Sequence, residues 1–184
     1  MQLVEKPYLH FIKENFFKPK QLSLLDKFIH TASWDFFEDE NFPQYVSQRK
    51  QVEDLFLYDL ETSSQLNYFL SESFIGKLEE LFSFNLNKCV SISFHKLTRG
   101  CFNAIHNDSN QNGERLRIVC YLSSPSDYEG GELNLFNLSN HDLPLVSYKL
   151  DLNSAFIFAM TKNSIHSVSN IISGERICLV LTYQ

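Results

Sequence analysis

Two hydrophobic rhythms divide the chain near residue 87. Before it, apolar positions recur at helical spacing. Leu22, Leu25, Phe28 and Ile29 fall on one helical face, and Pro19 suits the first turn ahead of them. A second stripe (Leu66, Phe69, Leu70, Phe74, Leu78 and Leu81) predicts a helix from about Ser63 and Ser64 to Phe82. Tyr8 to Ile12 reads as an edge strand. Residues 32–55 are less regular and carry the acidic and aromatic run from Trp34 to Glu40, which reads as a solvated loop or, functionally, as a substrate-facing lid.

From Lys88 the period falls to two. Candidate strands are Cys89 to Phe94, Arg115 to Leu122, Glu132 to Phe136, Val146 to Leu150, Ala155 to Ala159, Ser167 to Ile171 and Arg176 to Thr182. Turn-forming clusters at 110–113, 123–127, 140–142 and 173–174 separate them. Many short strands behind supporting helices predict an α+β, mainly β architecture. The expected form is a double-sheet jelly roll, or double-stranded β-helix, with N-terminal supporting helices. No repeat, low-complexity tract or linker intervenes, so residues 1–184 are expected to form a single domain. In it, 1–87 would be mainly helical support and lid, and 88–184 the jelly-roll core.

Composition narrows the function. A net charge of −6 argues against a domain whose main task is gripping phosphate backbones, so nucleic acid is not an expected partner. Cys89, Cys101, Cys120 and Cys178 form neither a CxxC pair nor a disulfide framework; they read as reduced, buried residues of a cytoplasmic protein. The N-terminus lacks a cationic head followed by an apolar run, and no stretch approaches the ~18 apolar residues of a membrane span. No membrane partner is expected.

The candidate chemistry starts at His106 and Asp108. Residues two apart on an extended chain share a face, so an imidazole and a carboxylate at this spacing can reach one divalent metal. Alone, the pair also reads as a surface histidine beside a turn-forming aspartate. His166, after the apolar stretch Ala155 to Ala159 and a polar turn, supplies a second imidazole from across a barrel. Two histidines and one carboxylate form a facial triad with open metal positions, whereas closed structural zinc sites use four protein ligands. Arg176 enters the last apolar strand, where it either pairs with a carboxylate such as Glu175 or Asp151 or clamps a carboxylate ligand.

Taken in order along residues 94–183, these features resemble the 2-oxoglutarate- and iron(II)-dependent dioxygenase superfamily, in particular its prolyl-hydroxylase-like branch. Gly100 and Phe102 stand ahead of the H-x-D pair, and Arg115 to Leu122 resembles the strand that follows it. Glu129 to Leu133 is similar to the G-G-x-L turn and strand. Phe158, His166, Val168 and Gly174 to Arg176 match the closing pattern, and Phe16 to Pro19 matches the segment before the first helix. The resemblance implies Fe(II) at His106, Asp108 and His166, the distal carboxylate of 2-oxoglutarate at Arg176, and O2 as second co-substrate. Tyr121 would support that carboxylate, with a core aromatic as the alternative. It also implies that decarboxylation of 2-oxoglutarate is coupled to hydroxylation of an unactivated C–H, on a prolyl residue or another amino-acid-like substrate, whether small molecule, protein or peptide. Two positions depart from the family pattern: Leu97, where a tyrosine is common, and Cys178, where a small hydroxyl residue is common. A catalytically inactive jelly-roll binding protein, and a metal hydrolase or isomerase on the same triad, are the competing readings.

The other basic residues have weaker claims. His10 and His30 read as surface residues. His95 reads as a hydrogen-bonded strand residue or a contact of the bound ligand. His141 beside Asp142 is a poor chelate, because neighbours on an extended chain point apart. Arg99, Arg115 and Arg117 are either solvated strand ends or the lining of the opening.

Overall fold

The computed structural model describes residues 2–51, 66–109 and 113–184, with the side chains of 48–51 left aside. In chain order the elements are β1 (Gln2–Val4), β2 (His10–Lys13), α1 (Pro19–Thr31), β3 (Asp35–Phe37), β4 (Gln44–Gln51), α2 (Glu72–Phe82), β5 (Cys89–Leu97), β6 (Asn103–His106) and β7 (Leu116–Tyr121). There follow β8 (Tyr128–Gly130), β9 (Leu133–Leu135), β10 (Val146–Tyr148), β11 (Ala155–Ala159), β12 (His166–Val168), β13 (Ile171–Gly174) and β14 (Arg176–Tyr183). An eight-stranded sheet runs β1-β2-β11-β7-β14-β5-β4-β3, and a four-stranded sheet runs β10-β9-β12-β6. A β13-β8 pair completes the β structure. This is the expected mainly β jelly roll with N-terminal helices.

Strict alternation along β5, β7, β11 and β14 gives the large sheet two unlike faces. Ile92, Phe94, Leu116, Ile118, Ala155, Ile157, Leu179 and Leu181 pack with the buried faces of α1 and α2. The opposite face sends Leu97, Tyr121, Phe156, Phe158 and Cys178 toward Leu133, Leu135 and Val168 of the small sheet. All four cysteines are free and buried, as expected. Among the described residues no helix is long and apolar enough to cross a membrane.

The helical reading holds for α1, which begins at Pro19 and buries Leu24, Leu25 and Ile29. The second predicted helix is broken. Residues 66–70 are helical, the chain bends at Ser71, and α2 starts afresh. The Ser71 hydroxyl donates to Tyr68 O (2.7 Å) and accepts from Phe74 N (3.2 Å), so a local cap competes with a continuous helix. Its expected start at Ser63 and Ser64 lies outside the described residues.

The run from Trp34 to Glu40 is not only loop. Asp35 to Phe37 form an edge strand on β4, with Phe36 opposite Tyr45 and their rings 4.9 Å apart. That cross-strand aromatic pair supports a segment whose charges hide its β character. Asp39 then turns the chain by accepting from Asn41 N (2.8 Å) and Phe42 N (3.1 Å).

His10, read as a surface residue, is fully buried. Its Nδ1 donates to Tyr8 O (2.8 Å), its Nε2 meets the Tyr148 hydroxyl (3.1 Å), and its ring lies 4.9 Å from that of Phe156. Strand β2 pairs with β11, opposite Phe158, and this pairing carries His10 inside. His30 is exposed, as expected.

Candidate metal and oxo-acid site

Antiparallel pairing of β12 with β6 sets His166 directly opposite His106, and the ring centroids are 4.3 Å apart. Asp108 follows two residues on. Its Oδ1 lies 3.5 Å from His106 Nε2 and its Oδ2 lies 3.3 Å from His166 Nε2. One ligand atom from each of the three residues falls within 4.8 Å of the others, so the set can hold a metal ion.

The hydrogen bonds behind the rings fix their chemistry. His106 Nδ1 lies 2.7 Å from Ala104 O and His166 Nδ1 lies 2.8 Å from Ser164 O. A carbonyl oxygen only accepts, so each Nδ1 carries the hydrogen, and in a neutral ring Nε2 is left with its lone pair. Two such lone pairs then converge on a buried carboxylate whose Oδ2 has no hydrogen-bond partner among the described residues. A divalent cation satisfies all three donors at once, and backbone carbonyls that orient ligand imidazoles from behind are a general feature of metal sites.

Arg117, on the chamber face of β7, forms an ion pair with Asp108 Oδ1, and its Nη2 reaches to 3.9 Å from Glu114 Oε2. Burial alone would raise the Asp108 carboxyl pKa. Hydrogen bonds from the two imidazoles, in the form that carries a hydrogen on Nε2, and the Arg117 guanidinium outweigh it and hold the group well below the usual carboxylate range. Phe42 meets the His106 ring edge-on at 4.8 Å, and Phe158 meets that of His166 at 5.2 Å.

Arg176 lies deeper, with only 4% of its surface exposed. Its Nη2 donates to the Tyr121 hydroxyl (3.1 Å), and its guanidinium sits 4.8 Å from the centre of the Tyr121 ring. Its Nε has no hydrogen-bond partner and it makes no ion pair among the described residues. The two carboxylates that sequence offered do not hold it: Glu175 lies 3.8 Å from Lys96, and Asp151 is exposed. Gly131, at φ 71°, leaves room for the arginine; a Cβ there would stand 3.2 Å from Arg176 Cδ and 2.5 Å from Ile171 Cδ1.

A cavity of about 800 Å³ is lined by the three candidate ligands and by Arg176. Leu97 and Cys178, the two departures from the family pattern, stand in its wall. His95 is also there, held between Ser93 Oγ (2.8 Å) and Gln44 Oε1 (2.8 Å). Phe36 and Phe37 of β3 line the cavity while about half exposed. Of the three arginines weighed for the opening, only Arg117 is in the lining. Arg115 donates to Asn85 O (2.8 Å) and covers the Phe84 ring, and Arg99 is exposed in the turn after β5. Sequence reasoning missed the pairing of Arg117 with Asp108. The available signal was its place between Leu116 and Ile118, which turns it to the chamber. His141 stays in an exposed loop.

A family model described as the 2OG-Fe(II) oxygenase superfamily matches residues 92–184, the half of the chain that carries His106, Asp108, His166 and Arg176. The chain belongs to the 2OG-Fe(II) oxygenase superfamily. Members of this superfamily are enzymes that use Fe(II), 2-oxoglutarate and O2, and the donor set and the unpaired Arg176 fit those ligands. Solved structures agree on the fold of this oxygenase. A 2OG-Fe(II) oxygenase family oxidoreductase from Burkholderia pseudomallei matches at TM-score 0.73 and 15% identity, over 95% of this chain and 85% of that one. A Pseudomonas putida prolyl-4-hydroxylase matches at TM-score 0.72 and 14% identity, over 95% and 91%. A Trichoplax adhaerens prolyl hydroxylase, solved with a hypoxia inducible factor peptide fragment, matches at TM-score 0.70 and 15% identity, over 95% and 82%. Comparison with curated proteins finds no match.

Proposed function

We propose that this oxygenase couples decarboxylation of 2-oxoglutarate to hydroxylation of an unactivated C–H, with Fe(II) held by His106, Asp108 and His166. The observation that carries the reading is the convergence of two imidazole Nε2 lone pairs on a buried carboxylate. Arg176 and Tyr121 would hold the distal carboxylate of 2-oxoglutarate. When bound, iron and 2-oxoglutarate supply the O2 chemistry, with succinate and CO2 as co-products.

The chain's own residues do the positioning. The Ala104 and Ser164 carbonyls keep both Nδ1 atoms protonated and aim both Nε2 atoms inward. Arg117 keeps Asp108 ionised and fixes its rotamer. Arg176 orients the oxo-acid from its far end, so binding energy is converted into alignment of the reacting end. Leu133, Phe158 and Val168 wall the chamber with apolar surface and limit water around the reacting atoms.

The substrate we infer is a prolyl residue or a related amino-acid unit, supplied as peptide or small molecule. Two fold neighbours are prolyl hydroxylases, and the half-exposed Phe36 and Phe37 offer an apolar lip for an incoming chain. We further propose that residues 88–184 are the catalytic core of one unit and that 1–87 support it, because β1 to β4 complete its large sheet. The four free, buried cysteines suit a reducing compartment and so support a cytoplasmic location. An inactive jelly roll or a hydrolase gives no purpose to Arg176, buried and without an ion-pair partner among the described residues.

The test is succinate release in air from iron-loaded protein supplied with 2-oxoglutarate and a panel of prolyl peptides and free amino acids. Turnover should require 2-oxoglutarate, add one oxygen atom to a member of the panel, and vanish in Asp108→Ala. Turnover without O2 or 2-oxoglutarate would select a hydrolase instead.

A further inference from the structure

A second tyrosine stands behind the chamber wall, beside the Arg176–Tyr121 pair. Tyr128 opens β8 with 5% of its surface exposed; its hydroxyl lies within the influence of the Arg176 guanidinium but makes no well-aligned hydrogen bond among the described residues. It stands beside Arg176. A Cβ at Gly131 would touch both Tyr128 Cε2 (3.0 Å) and Arg176 Cδ (3.2 Å). Arg176 Nε, also buried, is likewise without a partner. Two polar groups left unsatisfied side by side cost stability, and both are donors that one anion would satisfy.

The surroundings of the ring favour donation. Lys149 Nζ lies 4.7 Å from the centre of the Tyr128 ring and donates to Tyr128 O (2.9 Å), so an ammonium covers the ring. Burial, only partly offset by Arg176, pushes the hydroxyl pKa up to about 12, so it keeps its hydrogen near neutral pH. Tyr121 accepts from Arg176 Nη2 through its lone pair and keeps its own hydrogen free. Two phenolic hydrogens are thus available beside one guanidinium.

We propose that Tyr128 is a binding residue for the oxo-acid, donating its hydroxyl hydrogen to the distal carboxylate that Arg176 and Tyr121 hold. This rests on the assignment of Arg176 above. The anchor then has one cation and two hydroxyls, and it selects a five-carbon dicarboxylic oxo-acid over one ending in a methyl group.

The experiment uses the full chain with Fe(II) under anaerobic conditions, and the visible band of the chelated oxo-acid as a binding readout without turnover. Titration with 2-oxoglutarate is compared with 2-oxovalerate, which keeps the chelating end and lacks the distal carboxylate. Tyr128→Phe keeps the ring and should raise the Kd for 2-oxoglutarate about tenfold, the size of one hydrogen bond to a charged group. It should leave 2-oxovalerate unchanged. Equal weakening of both acids would show a structural role and overturn the proposal. An unchanged 2-oxoglutarate Kd in Tyr128→Phe, with weakening in Arg176→Met, would overturn it while the Arg176 reading stands. Wild-type protein with no band for either acid would remove the 2-oxoglutarate site, and Tyr128's role with it.

Discussion

Strands β5, β7 and β14 present Ile92, Phe94, Leu116, Ile118, Leu179 and Leu181 to the helices, and Ser93, His95, Arg117, Cys178 and Thr182 to the chamber. The same backbone ladder carries both sets. On the helix face polar atoms are few and uncharged: the hydroxyl of fully buried Tyr183 donates to Phe69 O (3.1 Å), and Ser47 Oγ, opposite Phe94, has no partner among the described residues. On the chamber face Arg117 Nε and Arg176 Nε are buried without partners. One face stabilises by burying apolar area. The other holds charge and donors ready for a ligand, which costs stability in the free protein. Stability and function are thus separated by the two-residue period of a strand.

Four substitutions test that separation. The largest effect is expected for Asp108→Ala, which removes a proposed iron ligand and leaves Arg117 with Glu114. Iron affinity should fall by more than the ~10–100-fold typical of losing a mere ligand support. Turnover should vanish, and the melting temperature of the metal-free protein should hold, because no helix-face contact is lost. Metal analysis and a thermal melt check it. Leu181→Ala is the converse. It opens a cavity under α1 and α2 and should cost about 2–5 kcal/mol of stability, read by urea unfolding. The 2-oxoglutarate Kd of the folded fraction should not move; a large change would show that the two faces are coupled.

Arg176→Met should weaken 2-oxoglutarate roughly 10- to 100-fold, as expected for losing charge-assisted bonds to a carboxylate. Iron content should be retained. Loss of iron along with the oxo-acid would mean that the chamber is a single cooperative unit.

The smallest effect concerns His10. Burial, partly offset by the bond to Tyr8 O, lowers its pKa from the ordinary 6.5. The unfolded chain therefore binds a proton that the folded one refuses, so stability is full above about pH 6.5 and declines as pH falls through that value. Melts across that range should show a shallower decline in His10→Asn. An unchanged decline would place the titration elsewhere.

Much of this was legible in sequence, unevenly. Period-two alternation marked β7 and β14, each with one apolar face, and roughly β5; β11 was marked instead by a short run that is apolar on both faces. Strand β4 was hidden: Gln44, Tyr45, Val46 and Ser47 carry few apolar residues, and long-range pairing with β5 makes them a strand. The break at Ser71 was missed because the apolar stripe continues through it while a capping hydroxyl ends the helix. The order of His106, Asp108, His166 and Arg176 was readable because the family resemblance is carried by short local motifs. The places of Arg117 beside Asp108 and of Tyr128 beside Arg176 depend on long-range packing, and no local pattern encodes that.

If one chamber binds Fe(II) and 2-oxoglutarate together, adding Fe(II) and then 2-oxoglutarate to the anaerobic metal-free protein should produce a visible charge-transfer band. That band should saturate at one 2-oxoglutarate per chain and be absent in His106→Ala. Folded, iron-loaded wild-type protein that stays colourless at saturating 2-oxoglutarate would contradict joint binding.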